Sequence, residues 1–279
     1  MSEPGRRSLV LPLDGSPASA SALGAALALG RLMEAVVHVV HVTQAPLPEH
    51  GLAEHLNLPY LEEGSYVIHQ LSGDIVGAIM DFSLRVGARM IVMSGQGKTS
   101  SPQRVVGGTA LLLMQRATIP ILVIRAAMRR PPGPEWRPRR MLVPLEGAPL
   151  ADCVIKEVFD VARELGLDMD ILHIATAGRK PPLDAGAFGS PRYLDHPHYD
   201  WPAWSEEFLY RFYAYLHPQA QLRLFHRRGR PDAVTLQFAA ENGEDLIALS
   251  WRGLLQDRQA TAVRGILARA DLPVLLIRT

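Results

Sequence analysis

Cysteine occurs once in the 279 residues, at Cys153, so no disulfide can close within the chain and no cysteine pair can hold a metal. Aromatic residues make up only 6% of the chain, and in the first 128 residues they are limited to Tyr60, Tyr66 and Phe82. No apolar run approaches the roughly 20 residues needed to cross a bilayer, which excludes a membrane-spanning helix. Lys and Arg number 29 against 28 Asp and Glu; they are dispersed, so no basic stripe argues for nucleic acid. His50, His55, His196, His198 and His217 do not recur at the i, i+4 spacing that puts two imidazoles on one helix face, which argues against a metal site. His38 and His41 read as packing or local hydrogen-bonding residues. Ser16 has no histidine nearby to complete a nucleophile arrangement, and no G-x-S-x-G is present. The opening Met-Ser-Glu-Pro-Gly-Arg-Arg leads into an apolar run too short for a signal peptide. The expectation is a cytoplasmic protein.

What the chain does have is a repeat. Leu11-Pro12-Leu13-Asp14-Gly15-Ser16-Pro17 returns as Val143-Pro144-Leu145-Glu146-Gly147-Ala148-Pro149, and Pro120-Ile121-Leu122-Val123-Ile124-Arg125 returns as Pro273-Val274-Leu275-Leu276-Ile277-Arg278. Two copies of one domain stand in tandem, predicted over 1–128 and 140–279, joined by a linker at 129–139 rich in proline and arginine.

In the first copy, short apolar runs at 9–13, 35–42, 66–71, 90–93 and 120–124 read as strands buried on both faces. Helical patterns lie between them: an Ala/Leu-rich stretch after Ser16-Pro17, an amphipathic one at 74–86, and another at 110–116. Strands near 141–145, 169–174, 220–225, 245–249 and 273–278 repeat that order, which predicts α/β architecture with two doubly wound, five-stranded, mostly parallel sheets. The repeat offset runs from 132 at the first strand to 156 at Met93/Leu249 and 153 at Pro120/Pro273, so the second copy gains residues around 175–216 and loses three later. That insertion carries Trp204, Phe208 and Phe212 at a spacing of four, on one helix face. The stripe either packs on its own sheet or forms a partner surface.

The chemistry-bearing segment is Met93-Ser94-Gly95-Gln96-Gly97-Lys98-Thr99 with Gly107-Gly108-Thr109 beyond it. It is no Walker A loop, because five positions before Gly97 stands Val92, inside a predicted strand. It does join a strand end to a helix start through glycines. Backbone N–H groups there, with the helix dipole, the Thr109 hydroxyl, Lys98 and Arg104, suit an anion such as phosphate. An ordinary turn and glycine helix start would look the same.

Taken together, Leu11-Pro12-Leu13-Asp14-Gly15-Ser16, a strand ending His41-Val42, this loop and the final Pro-Ile-Leu-Val-Ile strand resemble the universal stress protein family, in its tandem-domain form. The resemblance implies a Rossmann-like fold of the adenine nucleotide alpha hydrolase kind. It also implies a non-catalytic, nucleotide-responsive module that binds ATP, with Mg²⁺, with hydrolysis at most slow. The family loop G-x2-G-x9-G-[ST] falls on Ser94, Gly97, Gly107 and Gly108, so two positions depart from it while the spacing is kept. By the same resemblance Pro12, Leu13 and Asp14 border the adenosine, and Val42 meets adenine through its backbone. The last strands, 120–125 and 273–278, would pair antiparallel in an internal pseudo-dimer, which leaves room for a homodimer and for an unidentified protein partner.

The second copy has lost the loop. Ala260 and Thr261 stand where Gly107 and Gly108 do, six residues rather than nine follow the preceding glycine, and Glu146 and Ala148 replace Asp14 and Ser16. Nucleotide is therefore expected in the first copy only, with side chains such as Trp251 filling the corresponding space in the second. Two other readings stay open: a nucleotide-free scaffold, and an adenine-nucleotide enzyme such as an ATP pyrophosphatase, which would need a phosphate loop directly after the first strand.

Overall fold

The computed structural model describes residues 7–58, 65–98, 106–146, 152–175, 201–251 and 261–278. The first half forms strands β1 (Ser8–Pro12), β2 (Val36–Val42), β3 (Val67–Leu71), β4 (Ala88–Ser94) and β5 (Ile121–Ile124). Between them run helices α1 (Pro17–Ala20), α2 (Leu23–Leu32), α3 (Glu49–His55), α4 (Ile75–Arg85) and α5 (Gly108–Arg116). The second half supplies β6 (Arg140–Glu146), α6 (Asp152–Leu165), β7 (Asp168–Ala175), α7 (Trp201–Phe212), β8 (Leu222–Arg228), α8 (Pro231–Asn242), β9 (Leu246–Trp251), α9 (Thr261–Arg269) and β10 (Val274–Arg278).

Sheet topology sharpens the expectation of two five-stranded sheets. The strands form one ten-stranded sheet in the order β3-β2-β1-β4-β5-β10-β9-β6-β7-β8. Every neighbouring pair is parallel except β5 with β10, whose antiparallel register sets Val274 against Val123, Leu275 against Leu122 and Leu276 against Ile121. The last strands of the two halves thus meet as expected, and their meeting leaves neither as an edge.

Alternation along the strands explains why so few polar residues interrupt them. Leu9, Leu11 and Val39 face a core shared with α2, α6, Phe208 and Phe212, while Val10, Val40 and Met93 face a second core with α4, α5, α8 and α9. Each core spans both halves, so the seam is packed on both faces. Fully burying a side chain such as Leu122 or Leu275 stabilises by about 1.5–3 kcal/mol. Phe208 and Phe212 are buried against each other and near Phe159, so for them the packing reading of the aromatic stripe holds. The Trp204 and Cys153 side chains lie outside the described residues.

Local chemistry sets the element ends. Ser16 caps α1 by accepting the Ser19 N–H at 3.1 Å, with Pro17 at the first helical position. Gly24 of α2 lets the chain between β5 and β6 lie on the helix: a Cβ there would stand 2.2 Å from the Pro132 carbonyl oxygen. In the second half Asp170 of β7, fully buried, is held by both Arg223 Nε and Nη2. Buried Glu244 sits beside this pair, and burial together with the Asp170 carboxylate pushes its carboxyl up to about 9.

Candidate functional site

At the carboxyl ends of β1, β2 and β4 the first half encloses a cavity of about 500 Å³. Sheets of this kind place ligands at that edge. Residues from four separate stretches converge on it: Pro12, Leu13 and Asp14 at the end of β1 and just beyond; Val42 at the end of β2; Met93, Ser94, Gln96 and Gly97 at the end of β4 and just beyond; and Gly107, Gly108 and Thr109 at the start of α5. Of the twelve residues expected to border the nucleotide, Gly95 alone is not on this lining. Its N–H donates to the Ile124 carbonyl at 2.9 Å and its α-carbon faces Val123, so it extends the pairing of β4 with β5.

Asp14 ties the site together. One carboxylate oxygen accepts the Ser16 hydroxyl at 2.6 Å and the Ser16 N–H at 3.0 Å, while the other accepts the Lys98 N–H at 2.6 Å from across the cavity mouth. Burial opposes its charge, but the Lys98 N–H and the Ser16 and Ser19 groups outweigh that and hold its carboxyl below the usual carboxylate range. Gly97 is glycine because of this contact: a Cβ there would stand 2.5 Å from the Asp14 Oδ2.

Ser94, where the family pattern has glycine, is buried and accepts the Gln96 N–H through its Oγ at 3.2 Å. The replacement closes the turn with a hydroxyl. Gly107 caps α5 with extended dihedrals and gives its N–H to the Gly95 carbonyl at 2.8 Å. It is therefore a hinge of the loop, and its own N–H is already engaged. Among the described residues no side chain caps α5, so the first-turn N–H groups of Gly108, Thr109 and Ala110 are open to an anion, and Lys98 lines the same cavity.

A sequence profile of the universal stress protein family matches residues 5–125. The first half carries the sequence signature of that family. Among solved structures, a universal stress protein from Archaeoglobus fulgidus is 16% identical at a TM-score of 0.63, covering 97% of this chain and 96% of that one. A Pseudomonas aeruginosa protein provisionally assigned to the family is 14% identical at 0.60, covering 98% and 94%. At these identities the likeness is one of fold, and it extends the tandem universal stress protein fold across both halves. An Arabidopsis thaliana family protein with AMP bound matches about half the chain, at 17% identity and a TM-score of 0.33, covering 50% of this chain and 92% of that one. No curated protein sequence matches significantly.

The family motif does not bring every wall of the cavity to notice. His41, Thr43, Leu47 and His55 line it, and so do Ile75 and Ile79 of α4 with Leu113 of α5. His41 bonds the Leu13 carbonyl through Nδ1 at 2.8 Å and meets the His55 ring edge-on at 5.3 Å. His55 comes from α3, in a stretch to which the strand and helix patterns assign no element. The signal was Leu52 and Leu56, four apart after Pro48, and both are buried. Gly15, at φ +81°, lies against His55, and the Asn57 side chain donates to the Gly15 carbonyl at 3.0 Å, which fixes α3 over the β1 turn.

In the second half, α9 begins at Thr261, the counterpart of Gly108. There Asp232, in the first turn of α8, accepts Arg230 Nη2 at 2.9 Å and is also held by Arg269. A Cβ on Gly265 of α9 would stand 2.6 Å from its Oδ2, so α8 and α9 are in direct contact. Residues 252–260 and the side chains of Trp251 and Glu146, on which the expectation of a filled second site rests, lie outside the described residues, as does Arg104.

Proposed function

We propose that this universal stress protein is a non-catalytic, nucleotide-responsive module that binds ATP, with Mg²⁺, in its first half only, and acts in the cytoplasm through a protein partner. The observation that carries the reading is the convergence of Asp14, the glycine loop and the uncapped start of α5 on one cavity. The N–H groups of Gly108, Thr109 and Ala110 would hold phosphate oxygens, with Lys98 adding charge. Asp14, Pro12 and Leu13 would border the adenosine, and the Val42 backbone would meet adenine. Bound nucleotide would supply a charged group whose presence or absence a partner can sense.

The reading includes hydrolysis that is slow at most. Activating water requires a base within hydrogen-bond reach of it. Both oxygens of Asp14, the carboxylate on the cavity wall, already accept protein donors.

Calorimetric titration of ATP with Mg²⁺ tests the reading. The expected result is saturable binding at about one site per chain, lost in Gly107→Val while its thermal melt shows the fold intact. Absence of saturable binding at millimolar ATP would overturn it, and so would two equivalent sites per chain.

A further inference from the structure

The two ends of the β5–β10 seam are related by the repeat, yet they are differently filled. At one end Arg125 donates from Nε to the Ala270 carbonyl at 2.8 Å; at the other Arg278 donates from Nη1 to the Ala117 carbonyl at 3.4 Å. Beside Arg125 the chain covers its own groove. Met128 is buried, the Arg129 N–H donates to Asp271 Oδ1 at 2.8 Å, and the Arg139 N–H donates to Asp245 Oδ2 at 2.8 Å. The matching groove beside Arg278 is a cleft of about 460 Å³, floored by Ile119, Pro120 and Ile277.

Its polarity is inverted. Asp271 and Asp245, which receive N–H donors on the covered side, correspond through the repeat offsets of 153 and 156 to Thr118 and Arg89, which line the open side. The covered groove accepts hydrogen bonds; the open one offers them. The Arg7 side chain, also lining the cleft, makes no hydrogen bond or ion pair among the described residues, and Arg278 contacts one carbonyl. Arg89 uses Nε on Glu164 at 2.8 Å and Nη1 on Glu157. Among the described residues Glu157 is the one carboxylate on the cleft wall, and it is committed to Arg89.

We propose that this cleft is a second ligand site, for a small organic anion: a phosphate or carboxylate on an apolar body. The anionic group sits between Arg7 and Arg278, and the apolar part lies on Ile119, Pro120 and Ile277. Arg7 precedes β1 and Arg278 ends β10, so the ligand clamps the two halves across the seam. The cleft lies at the amino ends of β1 and β4, away from the cavity at their carboxyl ends, and stands whether or not that cavity takes nucleotide.

Phenyl phosphate titrated into the full chain tests the proposal, with benzoate as the carboxylate arm and melting curves to verify folding of each variant. Saturable binding of either is expected, weakened about tenfold by Arg7→Gln and by Arg278→Gln. Glu157→Gln tightens it by removing the carboxylate from the wall, whereas Gly107→Val, which acts on the other cavity, leaves it unchanged. Failure of both probes to saturate, undiminished binding in the Arg7→Gln/Arg278→Gln double variant, or weaker binding in Glu157→Gln would each overturn the proposal. Binding of hexaglutamate but of neither small anion would also overturn it, in favour of a protein partner.

Discussion

Each half of the chain sets a carboxylate against a glycine, with different results. In the first, Asp14 reaches Gly97 and the Lys98 N–H, and because this glycine lies in the loop ahead of α5, the start of that helix stays open. In the second, Asp232 reaches Gly265 one turn inside α9 and, with Arg230 and Arg269, locks helix to helix. The same contact frames a cavity or fastens a core according to whether the glycine precedes a helix or belongs to it.

Four changes would break or sharpen this contrast. The largest effect is expected from Gly97→Val, whose side chain collides with Asp14 and opens the clasp. Nucleotide affinity should fall by about 10–100-fold with the fold retained, and calorimetry showing undiminished affinity would remove Asp14 from its framing role. Gly265→Val should do the reverse, lowering stability in urea by roughly 1–3 kcal/mol through overpacking while leaving nucleotide binding intact. An unchanged urea midpoint would mean that the helices are not fastened there.

The third change concerns pH. Glu244 has a folded pKa of about 9 against an ordinary 4.5, so the stability it contributes is complete below the ordinary value and is lost as pH rises through the folded one. Glu244→Gln keeps a donor for Asp170 without titrating, and should gain about 1–2 kcal/mol over wild type near pH 9 with little difference near pH 5. Parallel pH profiles for the two proteins would contradict this. The smallest effect belongs to Glu135→Gln: its ion pair with Arg31 is exposed on both sides, and the melting temperature should not move measurably.

Much of this was legible in the sequence. The strands of the first half are short, almost wholly apolar runs, which a sheet covered on both faces demands, and Gly97, Gly107 and Gly108 of the β4–α5 loop line one cavity. Less legible was α3, whose histidines, glutamates and glycine hide the Leu52/Leu56 face. The purpose of Gly97 was hidden too, because the carboxylate that excludes a side chain there is 83 positions away in the chain. Gly95 looked equivalent to Gly97, and only the pairing of β4 with β5 separates them. The merging of two sheets into one depends on the pairing of 121–123 with 274–276, which the family resemblance implied and no local pattern encodes.

The antiparallel seam has a consequence for symmetry. Had the halves been separate, identical subunits, every ligand site would have come in pairs, and any change in one loop would have appeared in both. Joining them in one polypeptide makes their association independent of protein concentration. It also lets each half drift on its own, so the Asp14 loop can be kept while its counterpart is shortened, and the two ends of the seam can be filled differently. A pseudo-dimer of this kind has a direction, which a true dimer lacks.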